Sequence, residues 1–94
     1  MTYKVKFLPT ALKEWEKLPS DIREQFKKKL IERTENPRVP SRQLHGFKDV
    51  YKIEFRSSGY RLVYEVNDEE IIIYVIAVGK RDRGIVYKKA KKRK

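Results

Sequence analysis

The sequence predicts an α+β domain: an N-terminal strand, a helical hairpin, a three-stranded antiparallel meander and a short C-terminal helix. Three patterns predict it. TYKVKF, residues 2–7, alternates apolar and charged side chains as a half-buried strand does. Residues 9–35 carry apolar groups at helical spacing with a proline break at Pro19. From about residue 49 the pattern returns to period two, in runs joined by short polar turns that suit antiparallel connections.

In the first strand Tyr3, Val5 and Phe7 share a face. Pro9 suits the first turn of a helix, and ALKEWEKL, 11–18, puts Ala11, Leu12, Trp15 and Leu18 on one side. After Pro19, Ser20 is expected to cap a second helix over about 21–35, with Asp21 and Glu24 at the end where the helix dipole favours acids. Ile22, Phe26, Leu30 and Ile31 are expected to point inward, and Lys27, Lys28, Lys29 and Arg33 outward. Asn36 and Pro37 end the helix, and PRVPSRQLHGF, 37–47, reads as a loop. Strands are expected at about 49–55, 60–66 and 70–78, with turns on SSG and NDEE. KRDRGIVYKKAKKRK then reads as a basic end, a short helix weakened by Gly84 with a frayed tail.

The chain has 94 residues, the length of a single domain, 1–94, with one modest core and not two. Apolar and charged residues each make up 39%, and the net charge is +11. The tail at 88–94 carries six of those charges, so the remaining five belong to the body of the domain. A domain this basic favours a polyanionic partner, and nucleic acid suits it better than a membrane because a large amphipathic aromatic face is missing. The longest apolar run, IIIYVIAV at 71–78, suits a buried strand and is too short to cross a bilayer. Lys4, Lys6 and Pro9 interrupt any signal-peptide pattern, so a cytoplasmic location is the default expectation. With no cysteine, disulfides and thiolate metal sites are excluded.

Strand parity isolates a charged wall. If Tyr51, Ile53 and Phe55 face the helices, Lys52, Glu54 and Arg56 face away, joined across the turn by Arg61, Val63 and Glu65. Closing the hairpin on Phe55 and Tyr60 sets Arg61 opposite Glu54, a pairing worth roughly 0.2–1 kcal/mol. Such a pair is either an ordinary ion pair on a solvated face or part of a site.

The usual nuclease kits are absent. The DEE cluster at 68–70 lies in a turn and reads as solvated, and His45, the only histidine, rules out a two-histidine mechanism and reads as structural or surface-exposed. No motif supports a Ser or Cys nucleophile, and no glycine-rich phosphate loop is present. What remains is cleavage of RNA through its own 2′-hydroxyl, with no metal or cofactor. Arginine and lysine stabilise the extra charge on phosphorus, Glu54 is able to accept the 2′-proton, and an aromatic such as Tyr87 is able to stack on a splayed base.

ALKEWEKL at 11–18, YKI at 51–53, SSGYRLVYEV at 57–66 and VGKRDRGIVY at 78–87 together resemble the RelE toxins of bacterial and archaeal toxin–antitoxin pairs, over nearly the whole chain. The resemblance implies a ribosome-dependent endoribonuclease that cuts messenger RNA in the empty A site of the 70S ribosome, leaving a 2′,3′-cyclic phosphate and a 5′-hydroxyl. It assigns Lys52 to charge stabilisation and proton removal, Arg61 to the phosphate, Arg81 to the leaving group and Tyr87 to stacking and orientation. Glu54 departs from the family pattern, which has YKIK where this chain has YKIE; it is either a substitute general base or a damper on the neighbouring cations. A RelB-type antitoxin is the implied partner, blocking entry to the ribosome and displacing the C-terminal helix. Lys27, Lys28, Arg33, Arg56 and Arg83 are candidate contacts to RNA, including 16S rRNA, or else a solvated basic surface. Two alternatives stand beside this: a ParE-like gyrase inhibitor on the same fold, which does not need Lys52, Arg61, Arg81 and Tyr87 together, and a non-catalytic RNA-binding protein, which tolerates loss of Tyr87.

Overall fold

The computed structural model describes residues 2–80 together with Ala90 and Lys92. Arg81, Arg83, Gly84 and Tyr87 lie outside the described residues; of the expected C-terminal helix, Ala90 and Lys92 are described and both are helical. Strand β1 (Lys4–Phe7) leads into helices α1 (Pro9–Glu16) and α2 (Ser20–Glu35). A 3-10 turn at Pro40–Arg42 follows, then strands β2 (Val50–Phe55), β3 (Tyr60–Asn67) and β4 (Ile72–Lys80). The sheet runs β1-β4-β3-β2. The meander is antiparallel as expected, and β1 joins its far side parallel to β4, which makes the sheet mixed. Among the described residues no helix is long and apolar enough to cross a membrane.

The helix boundaries shift slightly from the expected ones. Helix α1 stops at Glu16, where Lys17 and Leu18 turn back to the carbonyls of Glu14 and Trp15. Ser20 is not the cap: it is the first residue of α2, and Pro19 occupies the capping position with its carbonyl accepting from Arg23 N–H at 3.0 Å. A proline carbonyl serves here because the cap residue needs an acceptor and an extended backbone, and no side-chain cap bond is made. Strand β4 begins at Ile72, two residues later than expected, because Ile71 adopts φ +57, a left-handed conformation that no strand continues through.

Both helices pack on one sheet face. Ala11, Leu18, Ile22, Phe26 and Leu30 meet Tyr51, Ile53, Leu62, Tyr64 and Val66 there. A row of rings crosses this layer: Phe7 to Trp15 at 5.2 Å, Trp15 to Phe26 at 6.3 Å, and Phe26 to Phe55 at 4.7 Å between centroids. Leu12 and Ile31, expected inward, are 43% and 66% exposed. A helix has a finite buried arc, and on these short helices Ala11 and Leu30 occupy it, leaving their neighbours one step around the axis outside.

The opposite face is not wholly charged. Val50, Val63, Ile76, Ala77 and Ala90 form a second, smaller apolar cluster, covered in part by Leu8, Leu44 and Phe47. The chain therefore builds two cores where composition suggested one, and Ala90 is buried although it sits in the basic tail. A bulge in β4 makes the split work. Tyr64 pairs with Val75 and Val63 with Ala77, so the register shifts by one residue at Ile76. The extra residue reverses the alternation: Ile73 and Val75 face the helices before it, and Val78 faces them after it.

Candidate active site

The β2–β3 hairpin fixes the charged wall. Its turn is closed by Gly59, whose φ of +78 suits a residue without a Cβ and whose N–H donates to the Phe55 carbonyl at 2.8 Å. Phe55 thus pairs with Tyr60 and Glu54 with Arg61, the register expected from parity. Arg61 Nε lies 3.2 Å from Glu54 Oε2, and Lys52 Nζ lies 3.4 Å from Glu54 Oε1. The Glu54 and Arg61 side chains are each 15% exposed, so this is a partly desolvated pair. On the other side of Arg61 the partner position in β4 is Gly79, which has no side chain to crowd the guanidinium.

A third cation reaches the same carboxylate. Arg42 Nη1, from the 3-10 turn, lies 4.0 Å from Glu54 Oε1. Sequence reasoning missed it, because a single arginine in a proline-containing loop carries no periodic signal. Its place depends on the Gln43–Tyr51 bridge, which lays the loop along the edge of β2. Partial burial pushes the Glu54 carboxyl up, but the charges of Lys52, Arg61 and Arg42 together with the Lys52 hydrogen bond outweigh it and hold the group below its ordinary range. Glu54 is therefore ionised at neutral pH, and among the described residues the wall holds three cations about one carboxylate. Such an arrangement has the charge to attract a phosphodiester and an ionised oxygen beside it.

The other candidate residues are placed elsewhere. Lys27 and Lys28 are exposed on α2, the helix that covers the opposite sheet face, and Lys27 pairs with Glu24 at 3.8 Å. Arg56 is exposed in the turn after β2. Arg33 does not belong to the outward lysine face. It turns in toward the sheet, donates to the Tyr64 hydroxyl at 2.7 Å and to the Lys52 carbonyl at 3.5 Å, and stands 5.7 Å over the Tyr64 ring. The Tyr64 hydroxyl in turn donates to the Pro37 carbonyl at 2.6 Å. A buried tyrosine hydroxyl needs partners for both its roles, and Arg33 supplies one of them. His45 is exposed in its loop. Of the acidic turn, Asp68 is not simply solvated: it accepts from Tyr3 and Arg38.

The chain is similar to known proteins over nearly its whole length. Residues 5–85 match the family profile described as ParE toxin of type II toxin–antitoxin system, parDE. The mRNA interferase toxin RelE of Escherichia coli (strain K12) is 56% identical over 93 residues, covering 99% of this chain and 98% of that protein. A solved structure of a mutant E. coli toxin RelE in the free state superposes with a TM-score of 0.91 at 54% identity, covering 99% of this chain and 98% of that one. The toxin in the intact E. coli RelBE toxin–antitoxin complex gives a TM-score of 0.82 at 56% identity, covering 86% of this chain and 99% of that one. With full-length identity of this degree to a named RelE toxin, the chain belongs to the RelE toxin family.

Proposed function

We propose that this chain is the toxin of a type II toxin–antitoxin pair and that it cuts messenger RNA in the ribosomal A site through attack of the 2′-hydroxyl. The observation that carries this reading is the 56% full-length identity to an mRNA interferase toxin RelE. The geometry of the wall supports the following mechanism. Lys52 and Arg61 hold the scissile phosphate and stabilise the charge that grows on it. Glu54 accepts the 2′-proton. In the resting protein its three cations make it a weak base; an incoming phosphate draws on those cations and returns proton affinity to the carboxylate. Arg81 serves the 5′-oxygen leaving group, and Tyr87 stacks on and orients the nucleotide, roles assigned by family resemblance. The products are a 2′,3′-cyclic phosphate and a 5′-hydroxyl, and no step calls for a metal ion.

The ribosome supplies the substrate's position, which is why the toxin acts there and not on free RNA. Lys27, Lys28, Arg56 and Arg83 contribute contacts to ribosomal RNA, while Arg33 is withdrawn from that set because its guanidinium is engaged with Tyr64. The protein works in the cytoplasm, with the ribosomes. Its antitoxin is of the RelB type, as in the E. coli complex that the chain resembles.

Primer extension on messenger RNA bound to ribosomes with an empty A site tests the reading. Cuts confined to that codon support it. Absence of cuts together with inhibition of gyrase supercoiling would place the chain with the ParE-type toxins that the family profile is named for.

A further inference from the structure

The three cations around Glu54 are not equivalent. Lys52 and Arg61 come from facing strands, and each lies within 3.4 Å of a different Glu54 oxygen. Arg42 lies farther off, at 4.0 Å, and its side chain is 45% exposed. An ion pair with that geometry and exposure does little to hold its partner. Glu54 already has a cation at each oxygen, so Arg42 adds little to its position.

What Arg42 adds is charge. Among the described residues Glu54 offsets one of the two strand cations, which leaves a single excess positive charge for a phosphodiester; Arg42 makes that excess two. Its mount is firm while its guanidinium faces solvent. The turn is closed by Arg42 N–H donating to the Val39 carbonyl at 2.8 Å. The next residues are fastened to β2 by Leu44 N–H to the Val50 carbonyl at 2.8 Å and by the Gln43–Tyr51 bridge. The Gln43 side chain donates to the Phe47 and Lys48 carbonyls at 2.9 and 2.8 Å, which fixes the loop on itself. A planar guanidinium on a fixed base at the rim of a cationic wall suits a phosphate better than a lone carboxylate it barely touches.

We infer that Arg42 is a substrate-binding residue, holding a backbone phosphate of the RNA strand at the Lys52–Glu54–Arg61 wall and making up the positive charge that Glu54 removes. The inference rests on the ribonuclease reading above.

The test measures single-turnover cleavage on ribosomes programmed with messenger RNA, against ribosome concentration and at several salt concentrations. It uses the full chain and its Arg42→Ala, Arg42→Gln and Arg42→Lys variants, each in the native and the Glu54→Gln background. Arg42→Ala and Arg42→Gln are expected to raise the half-saturating concentration about fivefold, the size of an exposed ionic contact. They are also expected to flatten the salt dependence by about 0.7 in log–log slope, one single-strand phosphate contact. Arg42→Lys keeps most of both. The same fold-loss persists in the Glu54→Gln background. Unchanged half-saturation and slope in Arg42→Ala overturns the inference, as does a loss confined to the saturating rate that vanishes in the Glu54→Gln background, which would make Arg42 only a positioner of Glu54. Absence of cutting by the native chain overturns the ribonuclease reading itself, and the role of Arg42 with it.

Discussion

Two charge clusters in this molecule have inverse compositions. At the β2–β3 wall one carboxylate, Glu54, is surrounded by Lys52, Arg61 and Arg42. Elsewhere one guanidinium, Arg38, sits between Asp49 at 3.0 Å and Asp68 at 2.8 Å, with the Tyr3 hydroxyl donating to Asp68 at 2.6 Å. Among the described residues the second cluster has no surplus cation: its arginine is bound on both forks, and the network ties the β3–β4 turn to Tyr3 just before β1 and to Asp49 just before β2. Hydrogen bonds from Arg38, then Tyr3, hold the Asp68 carboxyl below its ordinary range. Among the described residues the first cluster is left two positive charges in excess. The difference is one of charge balance: where charges balance or lean acidic, the network fastens chain to chain; where cations outnumber the carboxylate, a net positive field is left that favours an anion.

The comparison breaks first at Arg61. Arg61→Ala is expected to cut single-turnover cleavage on programmed ribosomes by about 10²–10³-fold, as for loss of a preorganised charge stabiliser. Antitoxin binding should survive, and unchanged toxicity would remove the wall from the mechanism. Glu54→Ala comes next, with a rate lowered by about 10²-fold if Glu54 is the general base; a rate at or above that of the native chain would show that the glutamate only damps its neighbours. Arg38→Ala should do the reverse, leaving cleavage intact while lowering stability by about 1 kcal/mol, read as a fall in Tm of about 5 °C.

The smallest effect is a pH dependence. The folded-state proton affinity of Glu54 is depressed, so its contribution to stability is present above the ordinary carboxylate range and lost as pH falls through the lower folded value. Glu54→Gln is therefore expected to melt below the native protein at pH 7. The gap should close below about pH 4, measured by thermal denaturation across pH. A gap that stays constant down to pH 3 would mean that Glu54 charge does not hold the wall together.

Much of this was legible in the sequence, for local reasons. Period-two alternation and the SSG turn fixed which residues of 51–66 share a face and set Glu54 against Arg61, because a hairpin's register follows from its turn and its pleat. The proline break at Pro19 and the apolar spacing of Ile22, Phe26 and Leu30 marked the helical hairpin. Where the reading failed, the missing information lay in other segments. Leu12 and Ile31 looked like core residues, yet a helix buries only the arc that the sheet reaches. Arg33 sat at a lysine-rich spacing, yet a buried tyrosine hydroxyl on β3 needed it. Asp68 looked solvated until Arg38 and Tyr3 were brought to it.

The sequence by itself determined the element order, the antiparallel meander, the basic character and the Lys52–Glu54–Arg61 wall, since each rests on neighbours within a few residues or across one tight turn. The tertiary structure decided the rest: the parallel seat of β1 beside β4, the bulge at Ile76 that splits the apolar run between two faces, and the approach of Arg42 to Glu54. These are contacts between distant segments. They follow from how sheet, helices and loop compete to bury apolar area and to pair polar groups, and no local pattern encodes the outcome of that competition.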